Sequence, residues 1–374
     1  MKTQAALLNE DRLSLLGRTR GQLPTPVMLL DLEAVTRNIV LMAGRFSGGT
    51  RLRPHGKSHK CAELARRQIQ AGAIGLTVAT AWEAVAFANR GIADILIANE
   101  VVGAEKLAHL AAAAREARIT VAVDDADNAR ALADAAQKVG REFGVVIDVD
   151  VGLARCGIRT PAAALPLAQA VAKLPGLKLC GVMGYEGNFA AELTAETKQQ
   201  KAVAAMDRLF AVVETLTSAG FPVDIVSAGG TSTAGLTGKF PGLTEVQAGS
   251  YVLMDNARRP IASEFQPALT VLATVVSRHG ATVVLDAGRR TVGLEIAAPS
   301  IVGVNATLRR SGDEHLVFDL ATESPLRVGD HVEVVPGYVP TTVNLHDAYL
   351  VMREGQVVEV WPVLARGAGN PWVP

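Results

Sequence analysis

The sequence predicts an α/β protein in two parts: a (β/α)8 TIM barrel over residues 24–260, then a C-terminal all-β domain over residues 261–374. Short β-rich runs alternate with alanine-rich helical segments about eight times over roughly 240 residues, the order of a parallel sheet with helices around it. A doubly wound open sheet shares that alternation, but eight units at this spacing favour closure. Beyond about Arg259 the texture changes, and β-type runs follow one another across turn residues with hardly a helix among them.

Taken in order, residues 26–31 (Pro-Val-Met-Leu-Leu-Asp) form an apolar run of strand length, and 32–46 reads as the helix after it. Further strands are predicted at 75–79, 95–98, 120–123, 145–149, 181–185, 224–228 and 245–253. Helices are predicted between them at 60–71, 81–89, 104–116, 127–140, 161–174 and 198–219. In the second domain the β runs are 268–277, 282–286, 316–319, 331–335, 347–353 and 357–362. Gly329-Asp330 and Glu354-Gly355 read as hairpin-like turns.

Composition excludes several classes. With 49% hydrophobic and 20% charged residues, the chain reads as a soluble globular protein rather than a disordered one. Lys+Arg 37 balances Asp+Glu 37, so no nucleic-acid or anionic-membrane partner is expected. No uncharged apolar stretch reaches the length of a spanning helix. Lys2, Glu10, Asp11, Arg12, Arg18 and Arg20 interrupt the early apolar patches, which do not read as a signal peptide. Cys61, Cys156 and Cys180 are odd in number and lack metal-like spacing, so free thiols in a cytoplasmic protein are expected.

The densest chemistry lies in Arg53-Pro54-His55-Gly56-Lys57-Ser58-His59-Lys60. A basic surface cluster is the plain alternative. Pro54 prevents a regular helix, however, and Gly56 permits a tight turn just before Lys57. The octet also comes early in the alternation, where strand ends carry catalytic residues. Imidazoles and Arg53 as cationic neighbours favour a neutral, nucleophilic Lys57 amine, suited to Schiff-base chemistry with pyridoxal phosphate (PLP). Downstream, Ser227-Ala228-Gly229-Gly230-Thr231-Ser232-Thr233 follows a predicted strand, and adjacent glycines with hydroxyls suit a phosphate dianion.

The octet resembles the Arg-Pro-His-x-Lys-Thr/Ser-His-Lys motif of the D-threonine aldolase and D-serine dehydratase family, PLP enzymes of the alanine-racemase-like fold. The resemblance runs from about Pro24 to Gly367 and implies that Lys57 holds the cofactor. It also implies that residues 1–23 pack with the β domain. The glycine loop resembles the family's phosphate loop, and Gln247-Ala248-Gly249-Ser250-Tyr251 resembles its second phosphate-and-ring motif. Phosphate binding is thereby assigned to Gly230, Thr231, Gly249, Ser250 and Tyr251. Gln247 falls where alanine racemases place an arginine against the pyridine nitrogen, and a neutral amide there permits a stronger electron sink.

Asp148–Gly157 resembles a motif whose arginine, here Arg155, bonds the PLP phenolic oxygen or the substrate carboxylate, with Asp148 and Asp150 as structural partners of Arg155 or the octet. Tyr185-Glu186-Gly187-Asn188 matches Tyr-Glu-Gly-His in three places of four. Asn188 is no base near neutrality, so a proton relay passes to His55, His59 or Tyr185. Thr80–Ala84 matches a barrel segment read as architectural.

The largest departure is in the β domain. Metal-dependent members carry a His-x-Asp or His-x-Cys pair where this chain has Tyr338 and Pro340, so no metal ligands are assigned and a divalent cation (Mn, Mg or Zn) is doubtful. Tyr338 is expected to serve the substrate hydroxyl instead, with Arg289 as its neighbour. His346 and Asp347 are adjacent, hence on opposite faces of a strand and poor substitutes as a metal-binding pair. The resemblance implies a PLP-dependent lyase acting on a β-hydroxy D-amino acid, by retro-aldol cleavage. Dehydration of D-serine or 3-hydroxyaspartate and racemisation are the alternatives, with a non-catalytic PLP carrier beyond them. Lys57, His59, Tyr185 and Tyr338 are the catalytic candidates. A homodimer is implied, with residues 345–351 among the segments that could complete the partner's site.

Overall fold

The structure, a computed structural model, describes residues 10–46, 48–192 and 194–367. Its strands in chain order are β1 (Val27–Asp31), β2 (Arg51–Leu52), β3 (Leu76–Val78), β4 (Asp94–Glu100), β5 (Arg118–Val123), β6 (Phe143–Asp148), β7 (Leu177–Met183), β8 (Ile225–Ala228) and β9 (Glu245–Val246). They continue as β10 (Leu269–His279), β11 (Thr282–Leu285), β12 (Ser300–Ile301), β13 (Ala306–Ser311), β14 (Leu316–Leu320), β15 (His331–Val335), β16 (Ala348–Arg353) and β17 (Gln356–Pro362). The chain divides into two units. One holds Met42–Lys57 and Ala62–Gly249, apart from residues 47 and 193; the other holds the described residues up to Leu41, Ser58–Cys61, and the described residues from Ser250 on.

The first unit is the barrel. Its eight strands are parallel, in the order β2-β9-β8-β7-β6-β5-β4-β3. The two ends of that order meet at the octet: Ile74 N–H donates to Leu52 O at 2.9 Å, Thr77 N–H donates to Pro54 O at 2.8 Å, and His55 bridges Thr77 in parallel. The segment singled out for its chemistry thus also closes the barrel. The strands are buried on both faces, as in β3 and most of β5, which is what a helix-covered parallel sheet requires. Local signals fix several helices. Asp125 caps Ala126–Val139 by accepting from the N–H groups of Asp127 and Asn128, and Gly140 ends it in the left-handed conformation at φ 64°. Thr80 and Glu83, read as architectural, form a reciprocal cap: Thr80 accepts Glu83 N–H, and Glu83 accepts Ala79 N–H at 2.7 Å.

The second unit is built on the nine-stranded sheet, ordered β13-β14-β11-β10-β1-β16-β17, with β15 pairing β10 and β12. Strand β1 corrects the sequence reading, which placed it in the barrel. It pairs antiparallel with β10 (Val27 to Leu272) and parallel with β16 (Leu29 to Leu350). A strand apolar in all but its last residue shows that it is central without showing which sheet it enters. Gly17 N–H donates to Val357 O and Val357 N–H to Arg18 O, and Leu15 and Leu23 share a core with Leu29, Leu272, Leu350 and Val357.

Three further differences have local causes. The run 245–253 is a strand for two residues only, and Ser250–Val252 then turns as a 3₁₀ helix. Gly329-Asp330 joins strands that do not pair, whereas Glu354-Gly355, at φ 48° and 82°, closes the β16–β17 hairpin. Val339–Leu345 is a helix that the sequence reading missed, with Pro340 in its first turn, where proline is tolerated.

Candidate active site

Within the barrel unit the octet splits its two basic roles. Arg53 is buried and donates through Nε to Glu245 at 3.0 Å and through Nη1 to Asp94 at 2.6 Å. Burial works against its charge, but the two carboxylates more than offset that and raise its pKa. The expectation of Arg53 as a cationic neighbour activating Lys57 is therefore corrected: its charge is spent on the first residues of β9 and β4. Gly56 opens a single 3₁₀ turn, Gly56–Ser58, and a Cβ there would sit 3.0 Å from Leu76 and 3.1 Å from Phe87. A side chain there would have to push back the tips of Leu76 and Phe87, and the turn delivers Lys57 half-buried at the end of the seam.

Tyr185, just beyond β7, gathers the site. Lys57 Nζ lies 5.9 Å from its ring centroid and the Arg155 guanidinium carbon 6.0 Å. A Cβ on Gly187 would collide with this ring, and one on Gly230 would come within 3.3 Å of it. Arg155 rides on a loop closed by Asp150 N–H to Ile158 O at 3.0 Å and Ile158 N–H to Asp148 O at 2.9 Å. Asp150 shapes that loop by accepting from Gly152 and Ala154 N–H, and its ionic partner is Arg159, so the guanidinium of Arg155 stays exposed.

The glycine loop after β8 is held by a residue that sequence reasoning gave no role. Glu186, fully buried, accepts from Gly229 N–H at 3.1 Å, Thr233 Oγ at 2.6 Å and Thr237 Oγ at 2.7 Å. Gly230 N–H donates to Thr233 Oγ at 2.9 Å. That bond ties the amide into the loop, and the absence of a side chain on Gly230 leaves room for Tyr185. Thr231 is buried beside it, and Gln247 donates from Nε2 to Ser227 Oγ at 2.8 Å, which orients its amide. The only signal for Glu186 was its place next to Tyr185 in the motif.

The other assigned residues belong to the second unit. His59 is fully buried, accepts Cys61 N–H at Nδ1 (3.1 Å), and has its carbonyl bonded by Tyr349 OH at 2.5 Å. Burial raises the Tyr349 pKa well above the phenol range, keeping it a donor. Ser250 Oγ lies 3.3 Å from Ser58 Oγ, and the buried Tyr251 ring packs on Phe265 at 5.6 Å.

Tyr338 precedes Val339–Leu345, and the Arg258 guanidinium carbon is 5.0 Å from its ring centroid. Asp255 ties that corner together, accepting Val339 N–H at 3.0 Å and Arg258 Nη1 at 2.6 Å. Arg289, expected beside Tyr338, is instead exposed and bonded to Ser311 Oγ at 3.1 Å, because Arg258 occupies the phenol's cationic contact. His346 places Nε2 2.8 Å from Thr291 O and has its pKa lowered by burial, while Asp347 pairs with Arg12 and Arg366. Among the described residues no three His, Cys, Asp or Glu side chains converge as metal ligands.

A family model described as the alanine racemase N-terminal domain matches residues 30–257, and one described as a putative serine dehydratase domain matches 268–352. D-threonine aldolase of Arthrobacter sp. is 36% identical over 362 residues, covering 94% of this chain and 95% of the relative. The chain belongs to the D-threonine aldolase and D-serine dehydratase family. Within that family, 3-hydroxy-D-aspartate aldolase of Paracoccus denitrificans is 34% identical over 94% of this chain and 95% of its own. D-threo-3-hydroxyaspartate dehydratase of Delftia sp. is 31% identical over 91% and 97%. The crystal structure of D-threonine aldolase from Filomicrobium marinum superposes with a TM-score of 0.90 at 34% identity, covering 94% of this chain and 98% of that one.

Proposed function

We propose that this chain is a PLP-dependent lyase that cleaves a β-hydroxy D-amino acid to glycine and an aldehyde. One observation carries the reading: an amine (Lys57), a guanidinium (Arg155) and a glycine loop (Gly230) meet on the ring of Tyr185. Those are the groups that an aldehyde, an oxyanion and a phosphate on one flat cofactor ask for. PLP bound there supplies an electron sink for bond breaking at the substrate's α-carbon.

The chain's own residues do the rest. Lys57 holds the cofactor. Arg155 anchors the phenolic oxygen or the substrate carboxylate, and Gln247 accepts from the ring nitrogen. The phosphate falls to Gly230, Thr231 and Gly249, to which the resemblance adds Ser250 and Tyr251. Tyr185 packs on the cofactor ring, and the resemblance leaves the proton of the substrate hydroxyl to Tyr338, with His59 and Tyr185 as further candidates. Tyr338 and Pro340 stand where the resemblance implies metal ligands, and His346 and Asp347 are committed to Thr291, Arg12 and Arg366. We assign the chain to the cytoplasm on its free cysteines and to a homodimer on the resemblance. No helix among the described residues is long and apolar enough to cross a membrane.

A second reading, dehydration of D-serine or a 3-hydroxyaspartate, is favoured by the Delftia relative. The test is product analysis. The holoenzyme is incubated with D-threonine, D-serine, D-3-hydroxyaspartate and D-alanine, with and without EDTA. Glycine and an aldehyde support the proposal, a ketoacid supports dehydration, and loss of chirality alone supports a racemase. Turnover is expected to survive EDTA and to fall on the order of 10²-fold in Tyr338→Phe. Abolition by EDTA with recovery in Mn²⁺ would reassign the hydroxyl to a metal.

A further inference from the structure

Tyr185 and Glu186 are neighbours in the chain with opposite addresses: the ring lies against Gly230, and the carboxylate is buried in the glycine loop. The Glu186 oxygens accept the Gly229 amide and both threonine hydroxyls that bracket the short helix Ala234–Thr237, and Thr233 Oγ passes the order on to the Gly230 amide. Gly229, whose amide Glu186 holds, is at φ 84°, a conformation that favours glycine. A carboxylate so close to a loop meant for a phosphate dianion is adverse on charge alone. Its contribution is therefore geometric.

We infer that Glu186 is a positioning residue for the cofactor phosphate: it fixes the loop in the shape that sets Gly230 and Thr231 for the dianion. It acts through the loop and carries no proton in the reaction. Glutamine at this place turns one acceptor into an NH₂ donor, so one of the three donors loses its partner. The inference rests on the reading of this loop as the phosphate site, and the test separates the two.

Apoenzyme is titrated with PLP and with pyridoxal, which lacks the phosphate, following intrinsic fluorescence. The wild-type chain is expected to bind PLP more tightly. In Glu186→Gln the Kd for PLP is expected to rise on the order of tenfold or more, the scale of a lost hydrogen bond to a charged group, with the Kd for pyridoxal nearly unchanged. Thr237→Val, which removes a single bond to Glu186, is expected to shift the same ratio by less and guards against misfolding of the first variant. An unchanged preference for PLP in both variants, or an equal loss for both ligands, overturns the inference while leaving the phosphate reading intact. A wild-type chain that does not distinguish PLP from pyridoxal overturns both.

Discussion

The two ends of the barrel use the same charged residue types to opposite effect. At the strand starts, Asp94 and Glu245 flank Arg53, and Arg118 adds a second cation at Asp94, so charge is balanced within hydrogen-bond distance. At the strand ends, Glu100 closes β4, Asp124 follows β5, Asp148 closes β6, and Arg155 is the cation that bears on Asp148. There the carboxylates outnumber the cation, and Asp148 holds a proton: burial first, then the charge of Glu100 and its hydrogen bond, push its pKa up to about 8. A β-bulge between Ile97 and Glu100 carries Glu100 into that group. Balanced charge makes an inert floor. At the strand ends the exposed guanidinium of Arg155 is left to meet an anion, while the surplus of carboxylates keeps Asp148 protonated.

The contrast can be broken by exchanging the two arginines' fates. Arg53→Met should be the most damaging change in the barrel, costing about 3–5 kcal/mol in urea unfolding, because it strips the buried Glu245 of its ionic partner and leaves Asp94 to Arg118 alone. Arg155→Met should change stability by no more than about 0.5 kcal/mol, since the side chain is exposed. Its cost should appear in binding, as a rise in Kd for PLP or in KM on the order of tenfold. Equal stability losses in both would erase the distinction between the two ends.

Asp148→Asn sharpens the comparison through pH. With a folded pKa near 8 and an ordinary unfolded one near 4, the folded chain holds a proton that the unfolded chain lacks between those values. Stability from this group is full below about pH 4 and falls as pH rises through the window, by up to about 1.4 kcal/mol per unit. Asparagine removes that slope, so the variant should gain on the wild type from pH 5 to 8 in urea unfolding. A parallel pair of curves would show that Asp148 ionises normally. The smallest effect is expected at Cys156, whose thiol pKa is raised chiefly by the hydrogen bond it donates to Glu100, so iodoacetamide at pH 8 should modify it more slowly than a free thiol. Alkylation at the rate of a free thiol would count against that bond.

Much of this was legible in the chain. The alternation of runs showed the barrel, and the octet, the glycine loop and Arg155 were singled out because dense motifs advertise backbone shape as well as chemistry. What stayed hidden depends on partners far away in sequence. Strand β1 reads as any buried strand until Leu272 and Leu350 are seen beside it. Arg53 looks like an activator of Lys57 until Asp94 and Glu245 claim it. Arg289 seemed the neighbour of Tyr338, a place that Arg258 takes because Asp255 fixes it next to Val339. Glu186 could be spelled out in a motif, but its role exists only once Thr233 and Thr237 fold back onto it.

The central claim is that Lys57 is the lysine that carries PLP, and borohydride reduction followed by peptide mapping tests it most directly. Reduction of the holoenzyme should leave a stable pyridoxyl tag on the peptide containing Lys57, and Lys57→Ala should lose the tag and the bound chromophore together. A tag on Lys60, whose Nζ is already bonded to Ala365 O at 2.8 Å, or no tag at all, would contradict the account.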